Sequence, residues 1–407
     1  MKCRAILKLD FYLAHLLLLA LIFGCSEPDS SQNDLTVIPV TAYSQMNVSA
    51  FFSTISYLPL KNRQGQAYLG EVRKMEVDEH GITFLQGHSS NDASISCFNP
   101  DGSYKLTLNH FGEGPGEYST LTDFNRLPNG DFLLLDQNGM RINQYNQEGT
   151  WIEKIPLAGL YYRMAFFPDG TSAMYKGNFP SADPNRLVFL DKDHNVVASY
   201  FPAKPYSSLF IIASRENFRK IQGSSNYLFN LFLDPVLYEV SPTTVTPKYR
   251  VDLGDNWLPG SVLQKLANNP DRKLARKLVL DQEDYVIYFN FFSENEKVVF
   301  LSYFLHGHLH WCLYNKSNQS TLNTYARTNN IDGSLVGEDA IWPVYLYNDE
   351  VVFVLQAPDV VSKLKNIAKA TGRTWTELQE HPQNDFERLA SQVNEVDNPV
   401  LAFAKLN

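Results

Sequence analysis

The chain has 407 residues, 44% of them hydrophobic and 19% charged, with 26 Phe and 22 Tyr, a composition that excludes disorder and requires a large aromatic core. Lys and Arg number 35 against 44 Asp and Glu, for a net charge of −9, so a broad basic footprint is absent and no nucleic-acid partner is expected. The length suits two or three domains of about 100–200 residues each, or one closed repeat array.

At the N-terminus, Lys2, Arg4 and Lys8 precede an apolar run from Phe11 to Phe23, which is too short to span a bilayer, where about 20 residues are needed. The run ends in Leu21-Ile22-Phe23-Gly24-Cys25, which resembles the lipobox of bacterial lipoproteins. That resemblance implies a signal peptide over residues 1–24 and lipidation of Cys25 as the new N-terminus; the alternative is a signal peptide cut elsewhere, with an ordinary Cys25. Without residues 1–24 the mature chain carries −11, so anionic lipid would not hold its surface and the acyl groups would be the membrane anchor. Residues 25–34 read as a polar tether. Their acidic residues resemble the export signal that sends some lipoproteins of gut Gram-negative anaerobes to the outer face of the outer membrane, so the expected address is an outer-membrane lipoprotein, facing either the cell surface, as that signal implies, or the periplasm.

The body of the chain repeats. One unit spans Val72 to Leu85 and a second pair of runs that turns at Asn99-Pro100-Asp101-Gly102. The next runs from Leu121 to Leu135, turns at Pro128-Asn129-Gly130 and continues to Gly149, and a third follows from Tyr161 through Phe167-Pro168-Asp169-Gly170 to His194. The turn glycines Gly81, Gly130 and Gly170 are 49 and 40 residues apart. Each unit is four short strands joined by tight turns, the content of one propeller blade. Weaker units begin near Asn226, Tyr285 and Val344. The terminal run Val400–Ala404 has no hairpin partner nearby, so it is expected to pair with Thr36–Val40 or Ile55–Leu60 and close the ring. The expected fold is all-β: a six-bladed β-propeller over residues 35–407, with N- and C-terminal strands closing one blade and short helical insertions.

Two such insertions are visible. Val262 to Leu280 has near-helical apolar spacing broken at Pro270, while Val360, Val361, Leu364, Ile367 and Ala368 share one helical face, followed by a capping box at Thr374 and Glu377. These helices are expected to cover blade edges or one mouth of the ring, and the basic cluster Arg272, Lys273, Arg276 and Lys277 to be a solvated face. Cys97 and Cys312 lie in strand-like runs and read as two buried free thiols.

Gly112-Glu113-Gly114-Pro115-Gly116-Glu117-Tyr118 lies between the first two units. It resembles the G-x-GPGEY signature of the six-bladed β-propeller lipoproteins of gut Gram-negative anaerobes, which have NHL-like blades. Tyr57-Leu58-Pro59-Leu60 and the ending Asn398-Pro399-Val400-Leu401 are similar to that family as well. The resemblance implies fold and export, and little chemistry, because the family's biochemical function is largely unknown.

The glycine loop is not a phosphate cradle, since Pro115 lacks a donor, Glu113 and Glu117 repel anions, and no helix follows. It reads as an inter-blade crossing with Tyr118 packed and Glu117 bonded to backbone, or as a loop lining a ligand mouth, which makes Glu117 and Tyr118 ligand-binding candidates. Lys74, Asp123 and Arg163 each stand seven residues before a turn glycine, with Glu76, Asn125 and Ala165 two residues further on the same strand face. If these strands are innermost, the three charged residues converge on the channel, either as ligand-binding candidates or as a set of mutually neutralising charges. His306, His308 and His310 alternate, but Gly307 belongs in a hairpin turn and spoils a zinc geometry, so no metal site or cofactor is expected. No catalytic motif or acidic pair stands out. Two function classes remain: a binding or scaffold module for a peptide, glycan or protein partner at one mouth of the ring, or a metal-dependent lactonase- or lyase-like propeller enzyme using the channel.

Overall fold

The structure is a computed structural model that describes residues 35–40, 43–62, 68–178, 183–210, 216–281, 284–325, 327–335 and 341–407. The expected signal peptide, the expected tether and Cys25 lie outside the described residues.

From Thr36 onward the chain forms six antiparallel blades. Blade 1 consists of Val72–Asp78, Gly81–Gln86, Ser94–Phe98 and Tyr104–Leu108, and blade 2 of Leu121–Arg126, Phe132–Asp136, Arg141–Tyr145 and Trp151–Pro156. Blade 3 consists of Arg163–Phe166, Ser172–Tyr175, Asn185–Leu190 and Val196–Pro202, and blade 4 of Phe218–Lys220, Tyr227–Asn230, Val236–Val240 and Val245–Asp252. Blade 5 holds Phe291–Glu294, Val298–Leu305, His308–Asn315 and Thr321–Thr324. Blade 6 holds Pro343–Tyr347, Glu350–Leu355 and Val400–Leu406, with Phe52–Pro59 outermost. The first strand of each blade packs beside those of its neighbours around a central axis. The sequence expectation of a six-bladed propeller closed by its two ends is met.

The tight turns follow from backbone chemistry. Gly81 has φ +120, and a Cβ there would lie 2.1 Å from the Phe98 carbonyl oxygen, so only glycine fits. The core is divided among the seams between blades. Met75 packs with Ile82, Phe98, Val352 and Leu401 between blades 6 and 1, Phe124 with Ile95, Cys97 and Phe132 between blades 1 and 2, and Met164 with Leu133, Ile142 and Val188 between blades 2 and 3. Each such side chain contributes about 1.5–3 kcal/mol by burial. Cys97 and Cys312 are buried free thiols, with burial pushing their pKa up to about 11 and about 12.

Closure uses the second of the two expected partners. Val400–Leu406 lies antiparallel to Phe52–Pro59 from Val400↔Pro59 to Leu406↔Phe52, and Phe52 and Ile55 fill the seam between blades 5 and 6. Thr36–Pro39 goes elsewhere, running parallel to Val245–Asp252 as a fifth strand on blade 4. There Ile38 and Val40 enter the apolar seam between blades 4 and 5, which offers them more buried contact than an edge of blade 6 already filled.

Because strands alternate in direction, connections between the second and third strands and between successive blades all fall on one face, where the innermost strands begin. We call it the upper face. It carries the helices Gly260–Asn268, Arg272–Asp281, Ala357–Thr371 and Trp375–Glu380, and the capping box at Thr374 and Glu377 forms as expected. The basic cluster at Arg272, Lys273, Arg276 and Lys277 is exposed. Among the described residues, the lower face carries short turns and the 3-10 turn Val48–Ala50 that leads into Phe52.

Candidate functional site: the channel and the upper face

Alternation along the innermost strands turns every second residue toward the axis, and the structure brings Lys74, Asp123 and Arg163 together there, all buried. Lys74 Nζ donates to Asp123 Oδ1 at 2.9 Å and to the Phe124 carbonyl at 2.6 Å, and stands 3.2 Å from Glu76 Oε1 and 4.0 Å from Glu216 Oε1. Asp123 accepts from its neighbour Phe124 N and, across the seam, from Met164 N, both at 2.8 Å. Arg163 Nη1 donates to the Thr122 and Tyr162 carbonyls at 2.7 and 2.9 Å. Glu216 pairs with Arg219 at 2.9 Å, and Arg219 donates to the Val344 carbonyl at 2.7 Å and lies 4.8 Å from the Phe291 ring centroid. The network thus touches the innermost strand, or the residues leading into it, in all six blades.

Glu216 belongs to this set, and the sequence reading missed it. It stands seven residues before Gly223, a turn glycine at φ +76, so the same offset that marks the other three would have found it. Burial works against the charge on Lys74, but Asp123, Glu76 and Glu216 outweigh it and hold the ammonium above its usual range. Burial raises the Glu216 carboxyl despite Arg219 and Lys74.

The space left on the axis is small. A cavity of about 80 Å³ at the lower mouth is lined by Glu76, Asp78, Asn125, Arg126 and Glu216 among others, and one of about 30 Å³ at the upper mouth by Arg73, Lys74, Asn290 and Trp342 among others. These volumes hold a few waters, far below the roughly 300–1,000 Å³ of small-molecule sites.

Glu117 and Tyr118 are not brought to the channel. Tyr118 is wholly buried in the seam between blades 1 and 2, its hydroxyl donating to the Ala93 and Leu108 carbonyls at 3.2 and 3.1 Å. The Glu117 carboxylate accepts from Gly114 N at 2.7 Å, and its carbonyl accepts from Arg141 and Asn143. The glycine loop is a latch between blades, as the first of its two readings has it. His306 and Gly307, both at positive φ, form the two-residue turn between Leu305 and His308, while His310 is buried against Tyr303. Among the described residues no group of three or more His, Cys, Asp and Glu is placed to hold a metal ion, and no helix is long and apolar enough to cross a membrane.

The profile of the domain of unknown function DUF4934 matches residues 35–405. The chain belongs to this family. No curated protein matches the DUF4934 chain in sequence. Among solved structures, it is similar to a protein of Bacteroides fragilis named as a candidate exported protein, with 17% identity, a TM-score of 0.71 and coverage of 91% of this chain and 100% of that one. A looser likeness links it to a DUF4221 family member from Bacteroides vulgatus, with 11% identity, a TM-score of 0.45 and coverage of 88% and 97%. Another links it to virginiamycin B lyase of Staphylococcus aureus, with 11% identity, a TM-score of 0.39 and coverage of 66% and 74%.

Proposed function

We propose that this DUF4934 protein is an exported lipoprotein, anchored through Cys25 to the outer membrane, that works as a binding or scaffold module and receives a peptide, glycan or protein partner on its upper face. The observation that carries the reading is the asymmetry of the ring: among the described residues, the helices of eight residues or more fall on the upper face with the inter-blade connections, while the lower face has short turns and the 3-10 turn that leads into Phe52. Elaborated loops on a rigid scaffold are where recognition concentrates. The channel's carboxylates favour this over an enzyme working on the axis, since Asp123 and Glu216 are engaged by Lys74, Arg219 and a backbone amide. In this reading Lys74, Asp123 and Arg163 hold the ring rigid beneath the recognition face.

Two measurements in cells test it. Cys25→Ser should move the protein from the membrane to the soluble fraction; retention of the processed variant would remove the lipid anchor from the reading. A benzophenone amino acid, whose excited state inserts into C–H bonds of peptides and sugars alike, should give slow-migrating adducts from position 366 on the upper face and none from position 169 on the lower. Adducts from 169 alone, or from neither, would overturn the upper-face assignment.

A further inference from the structure

On the upper face a cleft of about 750 Å³ lies between the helix Ala357–Thr371 and the segment leading into blade 6, within the range of sites that enclose a drug-sized ligand. Gln356, Asp359, Lys363 and Asn366 follow one another by three or four residues along the helix side, so they form a row on one wall. Facing them are Ile341 and Trp342, and the buried Leu355 and Val360 close the bottom. Phe304 backs the indole, with ring centroids 4.9 Å apart. Trp342 also lines the small cavity at the upper mouth of the channel, so the cleft starts where the axis opens.

The chemistry of the two walls differs. Gln356, Asp359 and Asn366, with Ser362 beside them, have side chains without a hydrogen-bond partner among the described residues, whereas Lys363 Nζ donates to the Ser334 carbonyl at 2.6 Å. One wall therefore offers amide, hydroxyl and carboxylate groups, and the other an indole. We propose that this cleft binds an uncharged oligosaccharide. A sugar ring has a face of C–H bonds that packs on an aromatic ring and a rim of hydroxyls that each donate and accept, which matches an indole opposite a row of amides. An extended peptide draws its affinity from an open sheet edge, and an amphipathic helix from a continuous apolar groove; the cleft has a self-bonded helix for one wall and a polar row along it. Asp359, with the lysine turned to a carbonyl, also disfavours an anionic ligand. The proposal rests on the upper-face reading above and names the ligand class it would take.

Electrophoresis of the purified protein through gels containing soluble starch, α-mannan, xylan or mixed-linkage β-glucan tests it. At least one polysaccharide should retard the wild type; Trp342→Ala should weaken that retardation roughly tenfold or more, the loss expected of a central aromatic anchor, and Trp342→Phe should keep most of it. If the alanine variant does not fold, Gln356→Ala with Asn366→Ala changes only an exposed N-cap residue whose side chain makes no capping bond and an exposed helix position, and should weaken binding in the same sense. No retardation by any of the four, or equal retardation of wild type and variants, overturns the proposal. Protease-sensitive adducts from position 366 together with no retardation would overturn the carbohydrate assignment and leave the upper face standing as a peptide or protein site.

Discussion

His310 shows how one buried side chain sets the response of this fold to acid. Its ring stacks on Tyr303 with centroids 5.0 Å apart and planes 11° from parallel, and burial pushes its pKa down to about 4, partly opposed by a hydrogen bond with Asn323. A native pKa below the ordinary value of 6.5 means that the folded state resists protonation. The stability His310 contributes is present above pH 6.5 and is lost as pH falls toward and through about 4. Between those limits the loss is about 3 kcal/mol. Urea unfolding at pH 7 and pH 4 should show that His310→Gln loses less stability on acidification than wild type, by about that amount; equal losses in the two proteins would place the acid sensitivity elsewhere.

At the scale of elements, the two N-terminal strands have different weights. Among the described strands Phe52–Pro59 pairs only with Val400–Leu406, so deleting residues 400–407 strips blade 6 of its third strand and strands its fourth; soluble, cooperative folding should be lost. Thr36–Pro39 is an extra fifth strand on a blade already complete, and removing residues 36–40 takes away mainly the buried Ile38 and Val40. At about 1.5–3 kcal/mol each as an upper bound, that deletion should lower the melting temperature while leaving one cooperative transition. Calorimetry of the two truncations checks the order, and equal damage from both would mean that the fifth strand is part of the clasp.

Across the whole molecule, the ring is tied at its axis by three cations and three carboxylates, Lys74, Arg163 and Arg219 with Glu76, Asp123 and Glu216. Lys74→Met leaves Asp123 and Glu216 short of a counter-charge and should cost about 3–5 kcal/mol by denaturant unfolding; a loss under about 1 kcal/mol would show the pairs to be replaceable by packing. Much of this was legible beforehand. Turn glycines at repeated spacing marked the blades, and the seven-residue offset marked Lys74, Asp123 and Arg163, because tight turns and strand alternation are local rules. Glu216 escaped only because the fourth unit lacks the Pro-x-Gly turn pattern that aligns the second and third. The cleft at Trp342 and Asn366 was not legible, since its walls meet through tertiary packing of two segments and share no periodicity. Closure has a further consequence, for biosynthesis. Phe52–Pro59 is made long before its partner Val400–Leu406, and such distant pairing slows folding. A chain cut short by a nonsense codon or a stalled ribosome therefore retains an unmatched apolar strand, and it is recognisable as incomplete to any protease or chaperone that surveys exposed edges.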